Sequence, residues 1–304
     1  MAVSVPVAPG QHMTSPIPAR AGIGLRPQHY ADILAQPAKV GHKVGPGVGW
    51  LEVHPENYLT AGGPQHRALT AARQLYPLSF HGVGLSLGGE ARPDPAHLAR
   101  LRALNARYEP ALFSEHLAWS SHGGAFMNDL LPIPYTRSAL DRLVEHVDET
   151  QEALGRQILI ENPSLYLRFE ASEMRETEFL RELVLRSGCG LLLDINHVFV
   201  SASNCGFDSC AYLADYPLSH VREIHLAGHR TEVDGSGAEV LIDTHGSSVS
   251  AAVWALYRLV VRLEGRLPTL IEWDQDLPDW RILLAEAASA DRILAEEAPH
   301  AAVA

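Results

Sequence analysis

Apolar residues recur along the chain in short runs rich in leucine and β-branched residues, separated by longer stretches with helical periodicity. Eight runs stand out: residues 21–26 (AGIGLR), 48–53 (VGWLEV), 77–82 (PLSFHG), 111–116 (ALFSEH), 157–162 (QILIEN), 190–195 (GLLLDI), 221–226 (VREIHL) and 268–273 (PTLIEW). None alternates strictly with polar residues, so both faces are expected to be buried, as in parallel strands. Between them lie amphipathic stretches at 64–76, 94–108, 136–155, 175–188, 248–265 and 279–297. Asp94, Thr136 and Ser248 are suited to cap the starts of three of these helices. Gly155, Gly188 and Gly265 stand just past the ends of others. This alternation predicts a (β/α)8 TIM barrel of the xylose-isomerase-like kind, in one domain spanning residues 21–298. A doubly wound open sheet is the runner-up. Residues 1–20, with four prolines, read as a flexible N-terminal tail rather than a signal peptide. The last residues, 296–304, read as frayed.

Composition narrows the class. The chain has 304 residues, 46% hydrophobic and 20% charged, an ordinary globular balance. The net charge of −12 argues against a large phosphate-binding surface, and so against nucleic acid as a partner. Three cysteines, Cys189, Cys205 and Cys210, lack framework spacing and suit a reducing, cytoplasmic setting as structural or incidental residues. No apolar run reaches membrane-spanning length, so no membrane partner is expected. Residues 82–89 (GVGLSLGG) lack both the phosphate-loop lysine and the dinucleotide fingerprint, and read as a tight loop. Trp50, Trp119 and Trp273 read as packing residues. His12, His42, His66, His97 and His300 read as solvated.

In a barrel of this kind the chemistry sits where strands end, and here nearly every strand ends in His, Asp or Glu. In chain order these are His54; His81; Glu115 and His116; Glu161; Asp194 and His197; His225 and His229; Asp243 and His245; Glu272 and Asp274. Bare carboxylates gathered at one mouth would repel one another. Imidazoles and carboxylates together suit zinc, iron or manganese, and one ion needs only three or four ligands. The excess predicts two or three ions with bridging carboxylates. Glu115 and His116 are adjacent, so they point to opposite sides of a regular strand. Barrel order favours His116 as the ligand and Glu115 as its support, with the reverse left open. Asn57, Asn162, Asn196 and Asp274 are the candidates to orient the imidazoles. His54 and His229 suit either acid–base work or ordinary hydrogen bonding. The long connection at 119–136 (WSSHGGAFMNDLLPIPYT) suits either a peptide groove or a loop packed over the rim.

The order His81, His116, Glu161, Asp194-x-x-His197, His225, Asp243-x-His245 and Glu272 resembles the trinuclear sets of endonuclease IV and its relatives. More specifically, the phrases GIGLR, LEVHPENY, FHGVGLSLGG, SEHLAWS, LPIPYT, ENPS, LDINHV, HLAGH, DTHG and IEWD resemble, in order, those of the multinuclear non-heme iron-dependent oxidative enzymes. The methanobactin-biosynthesis oxidase belongs to that family. The resemblance implies two or three irons in mixed Fe(II)/Fe(III) states, with O2 as co-substrate. It implies oxidation of cysteine in a ribosomally made precursor peptide and a small partner protein that presents the peptide leader. The metal ligands would be the nine residues of that order, with Glu115 as the alternative to His116. His54, Asp274 and His229 would be the catalytic groups. Three other classes compete: a zinc phosphodiesterase like endonuclease IV, a metal-dependent sugar isomerase or epimerase, and a metal-dependent scaffold for a partner protein.

Overall fold

The computed structural model describes residues 17–35 and 47–297. The expected tail therefore lies outside the described residues up to position 16, as do His12, His42, His300 and the last seven positions. Arg20 already engages the barrel, its guanidinium bonding to Asp291.

Among the described residues twelve strands form. They are β1 (Ala21–Gly24), β2 (Leu51–Val53), β3 (Leu78–His81), β4 (Leu112–His116), β5 (Trp119–His122), β6 (Ala125–Leu131), β7 (Leu159–Glu161), β8 (Gly190–Asp194), β9 (Val221–Leu226), β10 (Arg230–Val233), β11 (Glu239–Ile242) and β12 (Thr269–Ile271). Eight of them close a barrel in the order β1-β12-β9-β8-β7-β4-β3-β2. Every neighbouring pair is parallel. These are the eight apolar runs of the sequence, and the closed order excludes the open sheet.

The six expected helices form at Pro64–Leu75, Pro95–Tyr108, Arg137–Leu154, Glu176–Ser187, Ala251–Glu264 and Trp280–Glu297. Asp94 and Thr136 cap as expected, accepting from the N–H groups of Ala96 and Ala139. Ser248 does not: the cap falls two residues later, where Ser250 accepts from Val253 N–H. Gly155 and Gly188 close their helices in the left-handed region that glycine enters at no steric cost.

Strand alternation sorts the barrel's side chains into two sets. Leu51, Leu78, Phe80, Phe113, Ile160 and Ile224 face the helices and join the main core. Their neighbours point into the barrel. Near the bottom Trp50, Leu159, Leu192 and Leu270 are buried in a layer outside that core cluster. The Trp50 indole lies where a Cβ on Gly22 would come within 2.4 Å of it, so Gly22 is required by close approach. Above them the interior becomes polar: Glu52, Ser79 and Glu223, then the residues at the strand ends.

Two hairpins absent from the sequence reading interrupt the pattern. β5 and β6 pair antiparallel after β4, turning at Gly123 and Gly124, both with positive φ. β10 and β11 pair after β9, turning where Asp234 accepts from Ser236 and Ala238 N–H. Short helices at Tyr30–Ala35, Ile195–Cys205 and Ser209–Asp215 are also additional. The segment 195–205 is apolar enough to read as strand, but Asp194 accepts from His197 N–H at 2.6 Å and starts a helix there.

Candidate metal centre

The strand-end residues converge on one mouth in three overlapping groups. In the first, His81 Nε2 lies 3.1 Å from His116 Nε2 and 3.3 Å from Glu161 Oε2, and His116 Nε2 lies 3.0 Å from the same oxygen. In the second, His225 Nδ1 is 3.0 Å from Glu272 Oε2 and 3.4 Å from Glu161 Oε1. Asp194 completes that group. In the third, His197 and His245 each place Nε2 2.8 Å from an oxygen of Asp243, and Asp194 joins both histidines. Glu161 turns one oxygen to each of the first two groups, and Asp194 belongs to the second and third. Two carboxylates are therefore shared between groups.

The backbone explains each position. Period-2 alternation sends Ser114 and His116 inward and Glu115 outward. Glu115 is buried, but it accepts from the N–H groups of Gly84, Leu85 and His116. It ties down the loop after β3 and stands apart from the cluster, so of the adjacent pair His116 is the one that faces the mouth. Three imidazoles are aimed by their far nitrogens. His116 Nδ1 donates to Gly82 O and His197 Nδ1 to Asn162 O, while His81 Nδ1 sits 2.7 Å from Ser114 Oγ. With Nδ1 occupied, each turns Nε2 to the centre. Asp243 and His245 are delivered by the second hairpin. His245 adopts φ +46°, a left-handed backbone rare outside glycine. Its N–H donates to Gly228 O, and Asp274 N–H donates to its carbonyl.

Of the candidate supports, Asn162 exchanges bonds with the Asp194 backbone in both directions. Asn196 donates to Asp243 Oδ1 and accepts from His229 Nδ1. His229 thus sits behind Asn196, and it is not among the residues lining the mouth cavity. Asn57 is exposed. His54 lines the cavity; its Nδ1 donates to His81 O and its Nε2 faces Arg26 at 3.1 Å. Arg26 also pairs with Asp274.

Residues that sequence reasoning missed include Arg26, Glu52 and Glu223. The two glutamates lie inside apolar strand runs, and only their inward parity marked them. Two corrections concern histidines read as solvated. His66 is buried between Tyr108 Oη (2.7 Å) and Thr60 O (2.8 Å). His97 packs beside Glu56 at 3.5 Å. Both occupy helix positions turned toward neighbouring elements rather than solvent.

The electrostatics are those of buried acids and imidazoles crowded together. Burial pushes Glu52 up to about 8 and Asp194 to about 6, and lowers His81 to about 4. Burial also opposes the His116 imidazolium, but Glu161 and Glu115 outweigh it and raise His116 to about 8. His197, His225 and His245 are likewise held up, against burial, by the carboxylates around them. Glu161 Oε1 and Oε2, Asp194 Oδ2 and His245 Nε2 are nevertheless buried without hydrogen-bond partners. Buried polar atoms are normally satisfied. A converging set of oxygen and nitrogen lone pairs with none is what divalent or trivalent cations of the iron or zinc type take up.

Comparison with known proteins decides the family. The family model for the RiPP precursor modification enzymes MbnB/TglH/ChrH matches residues 20–295. The chain belongs to that family. Its relatives include a UPF0276 protein of Rhizobium meliloti, 53% identical over 92% of this chain and 88% of the relative. Another, from Paraburkholderia phytofirmans, is 52% identical over the same shares. Among solved structures, endonuclease IV from Thermus thermophilus superposes with a TM-score of 0.56 at 18% identity, over 92% of this chain and 100% of that one. D-psicose 3-epimerase from Clostridium cellulolyticum gives 0.56 at 13%, over 91% and 99%. At such identities these two share the barrel and nothing more is carried over from them. The family makes this chain an enzyme that modifies precursor peptides. Among the described residues no helix is long and apolar enough to cross a membrane.

Proposed function

We propose that the chain is a multinuclear iron enzyme that uses O2 to oxidise a cysteine of its precursor peptide. The observation that carries this reading is the set of three overlapping ligand groups joined by Glu161 and Asp194, with buried lone pairs unmet, in a family of peptide-modifying enzymes. His81, His116 and Glu161 would hold one ion. Glu161, Asp194, His225 and Glu272 would hold a second, and Asp194, His197, Asp243 and His245 a third. Bound there, iron would supply a redox-active Lewis acid for oxidation by dioxygen.

The chain's own residues do the rest. A cavity of about 370 Å³ opens over the cluster, lined by His54, Phe126, Asp129, Tyr166 and Gln275 among others. Phe126, Leu130 and Tyr166 remain substantially exposed there, an apolar rim suited to a peptide segment. His54 is kept neutral by burial and by the neighbouring Arg26 guanidinium. His54 and Asp274 are the groups on the cavity wall next to the cluster that would take the thiol proton. A small partner protein that presents the peptide leader would complete the substrate complex. The charge of −12 and the absence of a basic, aromatic-interleaved stretch disfavour a phosphodiester substrate.

Anaerobic purification with elemental analysis, and Mössbauer spectra of an iron-57 preparation, test the proposal. Two to three irons per chain are expected, with O2 uptake and a mass change when a cysteine-containing precursor peptide is added. Stoichiometric zinc, with no O2 uptake after iron reconstitution, would sink it.

A further inference from the structure

One layer below the mouth, two carboxylates are buried where a barrel of this kind ordinarily packs branched apolar residues. Glu52 on β2 and Glu223 on β9 are 2% and 0% exposed. Both reach the underside of His225: Nε2 lies 3.0 Å from Glu52 Oε2 and 3.8 Å from Glu223 Oε1. Ser79 Oγ donates to the other oxygen of Glu223 at 2.9 Å and fixes its orientation. The opposite edge of the same ring presents Nδ1 to Glu272 and Glu161. His225 is therefore clamped between carboxylates above and below, and is itself fully buried.

A neutral imidazole has one lone pair and one N–H. Its two edges cannot both act as ligands, and the two sets of carboxylates are not equivalent. Above, Glu161 and Glu272 lie among further histidines and Asp194, in a group able to close around a cation. Below, Glu52, Glu223 and His225 make a smaller set of three that brings no further imidazole, and Glu52 Oε2, Glu223 Oε1 and His225 Nε2 face one another with no other partner. We propose that Glu52, backed by Glu223 and Ser79, is a positioning residue for the metal centre. It accepts the Nε2–H of His225 and thereby commits Nδ1 to the ion held with Glu161 and Glu272. This rests on the metal-centre reading and not on the identity of the metal or the peptide chemistry.

The test is a titration of metal-free protein with Co(II), whose visible band reports the ligand set. Glu52→Gln keeps an acceptor oxygen and is expected to bind the same number of ions with little change in affinity or band. Glu52→Leu is expected to weaken one ion by about 10–100-fold and to shift its band. An ion-loaded wild type beside a Glu52→Leu protein with the same count, affinity and band would overturn this role alone. A wild type that takes no ion would overturn it together with the metal centre. A fourth ion lost in both variants would assign Glu52 as a ligand and overturn it too. Should Glu52→Leu fail to fold, nitrogen-15 histidine spectra of the zinc-loaded wild type decide the matter. A proton on Nε2 of His225 is expected, and a proton on Nδ1 refutes the proposal.

Discussion

The candidate metal centre has two halves built in different ways. His81, His116, Glu161, Asp194 and His225 are the last or nearly the last residues of barrel strands, and Glu272 follows β12 directly. Their backbones are fixed by parallel ladders on both sides. His197, Asp243 and His245 stand on no barrel strand. A helix cap places His197, and a hairpin with a left-handed residue places the other two. The first half inherits its precision from the barrel. The second half is held by particular bonds: Asp194 to His197 N–H, Asn196 to Asp243, and His245 N–H to Gly228 O. Rigid strands make a ligand hard to displace without unfolding, whereas a ligand on an insertion can be loosened alone.

Glu161→Gln should have the largest effect, because each of its oxygens faces a different group. Elemental analysis should show a loss of about one to two ions per chain, and peptide modification should cease. Gly228→Ala comes next and tests the second half. A Cβ there would lie 2.2 Å from Ser247 O, so the loop must move. A cost of about 1–3 kcal/mol in thermal or denaturant unfolding is expected, with the ion near Asp243 weakened and the His81–His116–Glu161 ion retained. Equal loss of all ions would erase the distinction between the halves.

Asn196→Ala cuts the link from Asp243 to His229 and should weaken the third ion by about tenfold, leaving the first two unaffected. The smallest effect is in pH. His116 is raised to about 8, so the metal-free protein holds it protonated at neutral pH, and an ion must displace that proton. Ion affinity at the first group should therefore rise with pH and level off above about 8, with proton release measurable by calorimetry in buffers of different ionisation enthalpy. An affinity independent of pH between the ordinary histidine value and 8 would contradict the pairing with Glu161.

The residues of both halves could be read from the chain, but the backbone that carries the second half could not. All eight strands and the order of the strand-end residues could be read from the chain, because parallel strands leave apolar runs and nearly every run stops at a His, Asp or Glu. The hairpins could have been suspected from Gly123-Gly124 and from Asp234-Gly235-Ser236-Gly237, both of which are turn sequences. They were hidden inside connections expected to be loops. The helix at Ile195–Cys205 was hidden by its apolar composition, since periodicity does not separate a short buried helix from a strand. His66 and His97 read as surface residues because a single histidine on an amphipathic stretch carries no sign of which neighbour it meets.

By itself, the sequence determined the barrel, its strand ends and the chemistry gathered there, because these follow from local periodicity and from where each apolar run is cut by a ligating residue. The tertiary structure decided what depends on direction and distance. It turned His116 inward and Glu115 outward, split Glu161 between two groups, and brought Asp243 back to His197 on a hairpin. It also set Glu52 beneath His225. None of these is a property of a segment. Each arises from strand parity and barrel closure, which bring side chains from distant parts of the chain to within about 3 Å of one another, the range in which a hydrogen bond or a metal ligand is defined.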